Sequence, residues 1–208
     1  MAVKDIVEAV LAFNAAEVVD LVKAEIAADT AVEEILNTGL IGAMDIVGKK
    51  FSDGDLFVPE MLMAAQAMKA GLEVLKPHLS GKAAVTRGTV VIGTVKGDLH
   101  DIGKNLVAML MDGGGFNVVD LGVDIDAKQF VDAAVKHNAD VVALSALLTT
   151  TMPAMEAIIG AIRESGIDTK IIIGGAPVTA VFAGQIGADG YSHDAPGAVK
   201  QARNLIAV

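Results

Sequence analysis

The chain has 208 residues, a formal net charge of -10, 3% aromatic residues and no cysteine. An acidic chain with so few aromatic side chains is poorly equipped to bind phosphate backbones or to stack on bases, which argues against a nucleic-acid-binding protein. Acidity also opposes docking on anionic membranes, and no run of roughly 18 apolar residues predicts a spanning helix. The lack of cysteine excludes disulfides and cysteine-ligated zinc or iron–sulfur sites, and we expect a soluble, cytoplasmic protein.

The first part of the chain has apolar residues at three- and four-residue spacing, which predicts helices. Four such stripes are separated by breaks near Asn14, near Asp29 and Thr30, and over Ser52–Asp55. We therefore predict a four-helix bundle over residues 1–80, which would form a domain of its own. Residues 81–88 lack periodicity and include two glycines, so they are predicted to be a linker that can act as a hinge.

After Gly88, short β-rich apolar runs alternate with helical stretches. The predicted strands are Thr89–Val95, Asn117–Asp120, Asp140–Leu144, Lys170–Ile173 and a short run around Gly190 and Tyr191. The predicted helices are Asp101–Met111, Ala127–His137, Met152–Ser165, Val178–Ile186 and Ala195–Ile206. This alternation predicts an α/β domain over residues 89–208, with a five-stranded, doubly wound parallel sheet of Rossmann or flavodoxin type. The strand order does not follow from the pattern.

Sheets of this kind bind ligands beyond the carboxyl ends of their strands. The loop after the first predicted strand contains Asp98, His100, Asp101 and Gly103. A neutral imidazole suits cobalt, iron or zinc, and either aspartate can hold its second ring nitrogen. Alternatively, an aspartate caps the next helix and the histidine is solvated. A zinc enzyme would need two or three more ligands, and the other three histidines lack that spacing relative to His100.

Two further loops carry candidate residues at the same edge of the predicted sheet. Ser145, Leu147 and Thr149 follow the third strand, together with two more threonines, and Gly174 and Gly175 follow the fourth. The hydroxyls can bind a polar ligand, although one threonine can instead cap the next helix. The glycine pair permits close approach of a ligand to the backbone, or simply a tight turn. Neither a dinucleotide fingerprint nor a phosphate loop follows the first strand.

Together the three loops resemble the cobalamin-binding signature, which runs Asp-x-His-x-x-Gly, then Ser-x-Leu, then Gly-Gly. In the helical half, Phe51 and the segment Phe57-Val58-Pro59-Glu60-Met61-Leu62 resemble the capping segment of corrinoid methyl carriers. The resemblance spans essentially the whole chain. It is strongest for the small corrinoid proteins that serve methanol, methylamine, betaine or aromatic methyl-ether methyltransferases in anaerobic one-carbon metabolism, and the chain is also similar to the cobalamin module of methionine synthase.

This resemblance implies cobalamin bound in its base-off form, with Nε2 of His100 as the lower ligand to cobalt. It further implies that Asp98 holds the other ring nitrogen and that Ser145 extends the relay. Phe57, Met61 and Leu62 are expected to cover the upper face, although a Met/Leu stripe is equally typical of a helical core. The residues expected to contact the cofactor are Asp98, His100, Asp101, Gly103, Ser145, Leu147, Thr149, Gly174, Gly175, Phe57, Met61 and Leu62.

The resemblance also implies a function, that of a methyl carrier whose cobalt cycles between Co(I) and methyl-Co(III). The implied partners are a substrate-specific methyltransferase, a methyl-acceptor methyltransferase and a reductive activase. We expect a non-autonomous subunit with no catalytic residues of its own, since 208 residues in this layout leave no room for the substrate barrel of a mutase. The alternatives are a cobalamin-binding sensor or storage module without a methyl-transfer partner, and a flavodoxin-like module that binds no cobalt.

Overall fold

The computed structural model describes residues 3–78 and 87–206. These residues form two compact units, a helical one made mostly of residues 3–78 and an α/β one made mostly of residues 87–206. The predicted linker, residues 81–88, lies outside the described residues except for Arg87 and Gly88. Within the described part of the chain, no helix is both long and apolar enough to cross a membrane.

The helices of the helical unit are separated at the predicted breaks. The third predicted helix is not one regular α-helix, however, because a π-helical segment interrupts it. Among the described residues its α-helices are α1 (Val3–Leu11), α2 (Ala15–Ala27), α3 (Val32–Glu34), α4 (Gly42–Ser52) and α5 (Val58–Leu75). A π-helical segment, Ile35–Ile41, joins α3 to α4, and a 3₁₀ turn, Lys76–His78, follows α5. The wider π turn buries two adjacent pairs of apolar residues, Ile35 with Leu36 and Leu40 with Ile41.

Local chemistry explains where the helices of this unit begin and how closely two of them pack. The side chain of Asn14 accepts the N–H of Glu17 at 3.2 Å and so caps α2. The Glu60 carboxylate accepts the N–H of Phe57 at 2.8 Å, at the start of α5. Gly71 lets α5 approach α2 closely, because a Cβ there would lie 2.7 Å from Cγ1 of Val18.

The α/β unit follows the predicted alternation. Its strands are β1 (Thr89–Thr94), β2 (Asn117–Asp120), β3 (Val141–Ser145), β4 (Lys170–Gly174) and β5 (Gly190–Ser192). Its helices are α6 (Ile102–Gly113), α7 (Ala127–His137), α8 (Met152–Glu164), α9 (Ala180–Gln185) and α10 (Ala195–Ile206). All four strand pairs are parallel. The predicted α/β class, with a five-stranded doubly wound sheet, is confirmed.

The strand order, which the sequence pattern left open, is β2-β1-β3-β4-β5. This is the flavodoxin-type order, in which the chain first moves outward from β1 to β2 and then returns to β3 on the other side of β1. The topological switch point therefore lies between β1 and β3. The loops that follow these two strands diverge there, and they open the crevice in which doubly wound sheets bind ligands.

One face of the sheet carries a continuous apolar core under α7, α8 and α9. Its strand residues include Val91, Val142 and Ile171, and Phe130 of α7 is fully buried among them. The three central strands, β1, β3 and β4, are buried almost along their whole length, as expected for a parallel sheet with helices on its faces. This rigid platform fixes where each strand ends, and so where the loops of the site begin.

Candidate functional site

A row of four residues ends the strands at the carboxyl edge of the sheet. Thr94 of β1 lies beside Ser145 of β3, Ser145 beside Gly174 of β4, and Gly174 beside Ser192 of β5. The three signature loops begin directly after the first three of these residues. The sheet register therefore brings together segments that lie about 50 residues apart (after β1 and β3) and about 30 residues apart (after β3 and β4) along the chain.

The carboxylate of Asp98 is the centre of the site, and its side chain is fully buried. Its Oδ1 accepts the N–H of His100 at 3.1 Å and faces Nδ1 of the same residue at 2.7 Å. Its Oδ2 accepts the N–H groups of Leu147 at 2.8 Å and Leu148 at 3.3 Å, and the hydroxyl of Thr151 at 2.8 Å. One carboxylate thus joins the loop after β1 to the loop after β3, across the switch point.

These hydrogen bonds keep Asp98 ionised. Burial by itself raises the pKa of this carboxyl. The hydrogen bonds that it accepts, led by those from the N–H of Leu147 and the ring of His100, outweigh burial and hold the pKa of Asp98 well below its usual range. An ionised carboxylate can only accept hydrogen bonds, so Nδ1 of His100 carries the proton. The lone pair of the imidazole is then on Nε2.

The ring of His100 is held on one side and open on the other. Its side chain is 51% exposed although its carboxylate partner is buried. A neutral imidazole with Nδ1–H bound to a carboxylate and Nε2 free is the arrangement found in histidine ligands of metals. Of the two aspartates left open by the sequence, Asp98 is the one that holds the ring. Asp101 is exposed, and its Oδ2 accepts Nδ2 of Asn105 at 3.1 Å instead.

Two residues that the sequence analysis did not single out hold the backbone of the His100 loop. Thr94 is fully buried, and its hydroxyl donates to the carbonyl of His100 at 2.9 Å. Asp124, in the loop after β2, accepts the N–H of Gly97 at 2.8 Å and Nζ of Lys96 at 3.2 Å. Its own N–H donates to the carbonyl of Asp98 at 3.1 Å. The bonds from Gly97 and Lys96 lower the pKa of Asp124.

A buried lysine fixes the start of α6. Lys104 is 3% exposed, and its Nζ donates to Oδ2 of Asp120 at 2.5 Å and to Oδ1 of Asn105 at 2.6 Å. Gly103, one residue earlier, is exposed, and a Cβ there would have no atom within 4 Å. The N-terminal turn of α6 is therefore anchored by Lys104, while the space beside Gly103 is open.

The hydroxyl that reaches Asp98 belongs to Thr151 and not to Ser145. Among the described residues, Ser145 makes no side-chain hydrogen bond, and Thr149 is exposed at the surface of the loop. Ser145 was expected to extend the relay, but in this structure the hydroxyl that bonds Asp98 is that of Thr151. The sequence analysis noted Thr151 as one of the threonines after β3, any one of which could cap the next helix. In the structure the side chain of Thr151 makes no capping hydrogen bond to α8. Leu147 contributes its main-chain N–H and leaves its side chain 43% exposed.

The glycine pair after β4 lies against the backbone after β3. The carbonyl of Gly174 accepts the N–H of Ala146 at 3.2 Å. A Cβ at Gly175 would overlap the carbonyl oxygen of Ala146, and its φ of +132° is one that other residues rarely adopt. Gly175 is therefore required by the approach of two loops, independently of any ligand.

The three residues expected to form a cap differ in exposure. Phe57 immediately precedes α5 and is 68% exposed, whereas Met61 is fully buried. Leu62, also on α5, is half-buried. Of the three, Phe57 presents the largest free apolar side chain.

Comparison with known proteins identifies the family of both units. Two family models, each described as a B12 binding domain, match this chain, one over residues 2–76 and the other over residues 88–200. Dimethylamine corrinoid protein 1 of Methanosarcina acetivorans is 45% identical over 177 residues, which cover 84% of this chain and 83% of that protein.

Two solved structures are similar over nearly the whole chain. The methanol:cobalamin methyltransferase complex of Methanosarcina barkeri superposes with a TM-score of 0.86 and 34% identity, covering 99% of this chain and 79% of the other. A cobalamin-binding protein from Desulfitobacterium hafniense superposes with a TM-score of 0.83 and 31% identity, covering 98% of each chain. These similarities agree with the resemblance that the loop residues and the helical segment carry.

Proposed function

Because the chain belongs to the methyltransferase corrinoid proteins and carries their B12 binding domains, we propose that it passes methyl groups between a donor methyltransferase and an acceptor methyltransferase. When bound, the corrinoid supplies a cobalt ion that accepts the methyl group from one partner and yields it to the other. The chain supplies a ligand to the metal, orients the cofactor and limits its exposure to water. It is in this sense a subunit of an enzyme system.

The observation that carries the proposal is the pairing of buried Asp98 with half-exposed His100 at the switch point of the sheet. We propose that Nε2 of His100 would be the protein ligand to cobalt in a cobalamin held in its base-off form, because this nitrogen is the one that the Asp98 bond leaves unprotonated. Thr151 extends the pair to a hydroxyl. A hydrogen-bonded chain of this kind can adjust the basicity of His100 and so how firmly its Nε2 would hold a metal.

The surrounding loops offer room for the rest of the cofactor. We propose that the nucleotide tail enters beside Gly103, where the structure has open space, and passes the hydroxyl of Ser145. Leu147, Thr149 and Asp101 are exposed at the same edge of the sheet and are proposed contacts. Gly174 and Gly175 are proposed to shape the channel by bringing the backbone after β4 close to Ala146.

We propose that residues 1–80 form the cap, 81–88 the linker and 89–208 the cobalamin domain. In the cap, Phe57, Met61 and Leu62 would cover the upper face of the corrin, with exposed Phe57 as the first candidate. Donor and acceptor both need that face, so the cap has to move during turnover. The relatives support a methyltransferase partner, since one similar structure is a methyltransferase complex. A reductive activase is proposed as the third partner, to restore cobalt that has lost its reduced state.

Reconstitution tests the cofactor. Full-length protein is incubated with hydroxocobalamin and passed through a gel-filtration column, and the absorption spectrum is recorded. We expect about one corrinoid per chain and, after reduction to Co(II), nitrogen splitting from a protein ligand in the paramagnetic resonance spectrum. The splitting should disappear in His100→Ala. Loss of the corrinoid on the column contradicts the whole proposal, and unchanged splitting in His100→Ala contradicts the ligand assignment.

A transfer assay tests the function. The reconstituted carrier is reduced and offered dimethylamine, trimethylamine or methanol, each with a methyltransferase specific for it, and methylation is followed by the change in corrinoid absorption. These donors are chosen because relatives of the chain are named for them. Methylation by at least one pair is expected. A carrier that binds cobalamin tightly but is methylated by none fits the sensor or storage alternative instead.

A further inference from the structure

The buried hydroxyl of Thr94 contacts the main chain of His100. Thr94 ends β1, is 0% exposed, and donates its hydroxyl hydrogen to the carbonyl of His100 at 2.9 Å. Its own backbone is fully engaged, since its N–H donates to the carbonyl of Gly122 and its carbonyl accepts the N–H of Ile125, both at 3.0 Å. Thr94 is thus fixed to the sheet and to the loop after β2 before it contacts His100.

The stiffness of threonine makes this contact directional. A β-branched side chain in a strand has few accessible χ1 rotamers, so the hydroxyl cannot easily turn away. Asp98 holds His100 through the main-chain N–H and through ring Nδ1, at 3.1 and 2.7 Å. Thr94 holds the remaining main-chain polar group. Together the two buried residues fix three of the four hydrogen-bonding groups of His100 and leave Nε2.

We propose that Thr94 is a positioning residue for the metal ligand, which sets how far His100 stands above the sheet and so how well Nε2 reaches cobalt. This inference rests on the proposed role of His100. A metal-binding side chain must be held within about 0.5 Å of its productive position. If the main chain of His100 can shift, Nε2 moves away from that position. Without the Thr94 bond, the ring remains tethered to Asp98, but the carbonyl of His100 loses the hydrogen bond that ties it to the end of β1.

Matched substitutions separate this role from general packing. Thr94→Val keeps the shape of the side chain and removes the donor, whereas Thr94→Ser keeps the donor and removes a methyl group. Thr169→Val is the control, because Thr169 is 2% exposed and its hydroxyl has no hydrogen-bond partner among the described residues. Thr169 precedes β4, at the opposite edge of the sheet. His100→Ala marks the spectrum without the ligand.

Each full-length variant is loaded with cobalamin and reduced to Co(II). Nitrogen splitting is measured by paramagnetic resonance, and the release of cobalamin is measured by competition with an apo-protein acceptor. In Thr94→Val we expect a smaller fraction of nitrogen-ligated cobalt and release that is about two- to tenfold faster, the range of a single hydrogen bond. Thr94→Ser should restore most of the wild-type signal, and Thr169→Val should match the wild type. If Thr94→Val prevents folding, Thr94→Ala is the second variant, and the same spectrum is expected of it.

The possible results distinguish failure of the Thr94 inference from failure of the His100 ligand assignment. If His100→Ala loses the splitting while Thr94→Val retains wild-type splitting and release, the Thr94 inference is overturned and the ligand assignment stands. If Thr94→Ser is as defective as Thr94→Val, the methyl group and not the hydroxyl matters, which also overturns it. If His100→Ala keeps the splitting, the ligand assignment fails and the Thr94 inference fails with it.

Discussion

Replacing Asp98 with asparagine separates the charge of the central carboxylate from its shape. Five hydrogen-bonding contacts converge on its two oxygens, two from His100 and three from the loop after β3. An asparagine can keep only one oxygen, so its NH₂ group must face one set of partners. Towards Leu147 and Leu148 it would oppose two main-chain N–H donors. It is therefore expected to turn towards His100.

In that orientation the amide changes the tautomer of the histidine. Its NH₂ group donates to Nδ1 of His100, which must then be unprotonated, and the ring proton moves to Nε2. A protonated Nε2 offers no lone pair to cobalt. The variant should therefore lose much of its nitrogen-ligated cobalt although the size and shape of the side chain are nearly unchanged. Replacing the residue that holds the second nitrogen of a metal-binding histidine typically weakens metal binding by about 10- to 100-fold.

The same substitution should destabilise the fold. Hydrogen bonds to a charged group are each worth about 1.5–3 kcal/mol, roughly twice a neutral bond, and Asp98→Asn weakens several and leaves the N–H of His100 opposed. Since the amide retains the bonds to the loop after β3 in weakened form, we expect the free energy of unfolding of the α/β unit to fall by about 2–4 kcal/mol. Urea denaturation of the full chain without cofactor, followed by circular dichroism, measures this loss.

Asp189→Asn provides the matched control. Asp189 accepts the N–H of Ile171 and Nη2 of Arg163, both at 2.6 Å, at the amino edge of the sheet. Its replacement should lower stability by a comparable mechanism and leave the cobalt spectrum unchanged. The tautomer argument is refuted if Asp98→Asn keeps wild-type nitrogen splitting, and the stability argument is refuted if its urea midpoint equals that of the wild type.

Three further substitutions test single positions. Asp101→Asn should leave the cobalt spectrum unchanged and alter stability by no more than about 0.5 kcal/mol, because Asp101 is exposed and bonds Asn105 rather than the ring. Gly103→Ala should raise the free energy of unfolding by about 0.5–1 kcal/mol, because alanine favours the helix and its Cβ meets open space. It should also raise the Kd for cobalamin, because the same Cβ would occupy the proposed tail channel. An unchanged Kd would show that Gly103 does not line that channel. Gly175→Ala should lower thermal stability even without cofactor, because its Cβ would overlap the carbonyl of Ala146. A wild-type melting curve would show that the two loops are able to separate.

The fold was largely predictable because local pattern and global architecture agree. Buried parallel strands appear as short apolar runs, and each predicted strand lies within a residue or two of its observed bounds. The order of the strands was not predictable, since periodicity carries no information about which strands are neighbours. The π-helical segment Ile35–Ile41 was also missed, because apolar residues at three- and four-residue spacing suit a regular α-helix equally well.

The site was predictable where residue type alone is informative. Asp98 and His100 stood out as a carboxylate and an imidazole in one short loop after a buried strand. That Thr151 and not Ser145 donates a hydrogen bond to Asp98 depends on how the loop after β3 turns. The sequence does not show which of three consecutive threonines reaches Asp98. Thr94 and Asp124 could not be found, because one looks like an ordinary strand threonine and the other is distant in sequence from the loop that it holds.

The position of the negative charge would make His100, the proposed ligand, ready for a metal before any metal arrives. Burying a carboxylate is costly unless hydrogen bonds compensate, and here they come from two loops that the fold has already brought together. The free-energy cost of desolvating Asp98 is therefore compensated when the protein folds, not when the cofactor binds. The loops after β1 and β3 are ordered by the same bonds, so binding at Nε2 needs little further ordering of the protein. Stability of the α/β unit and readiness of the ligand thus depend on one group, which is why a single atom change at Asp98 should disturb both.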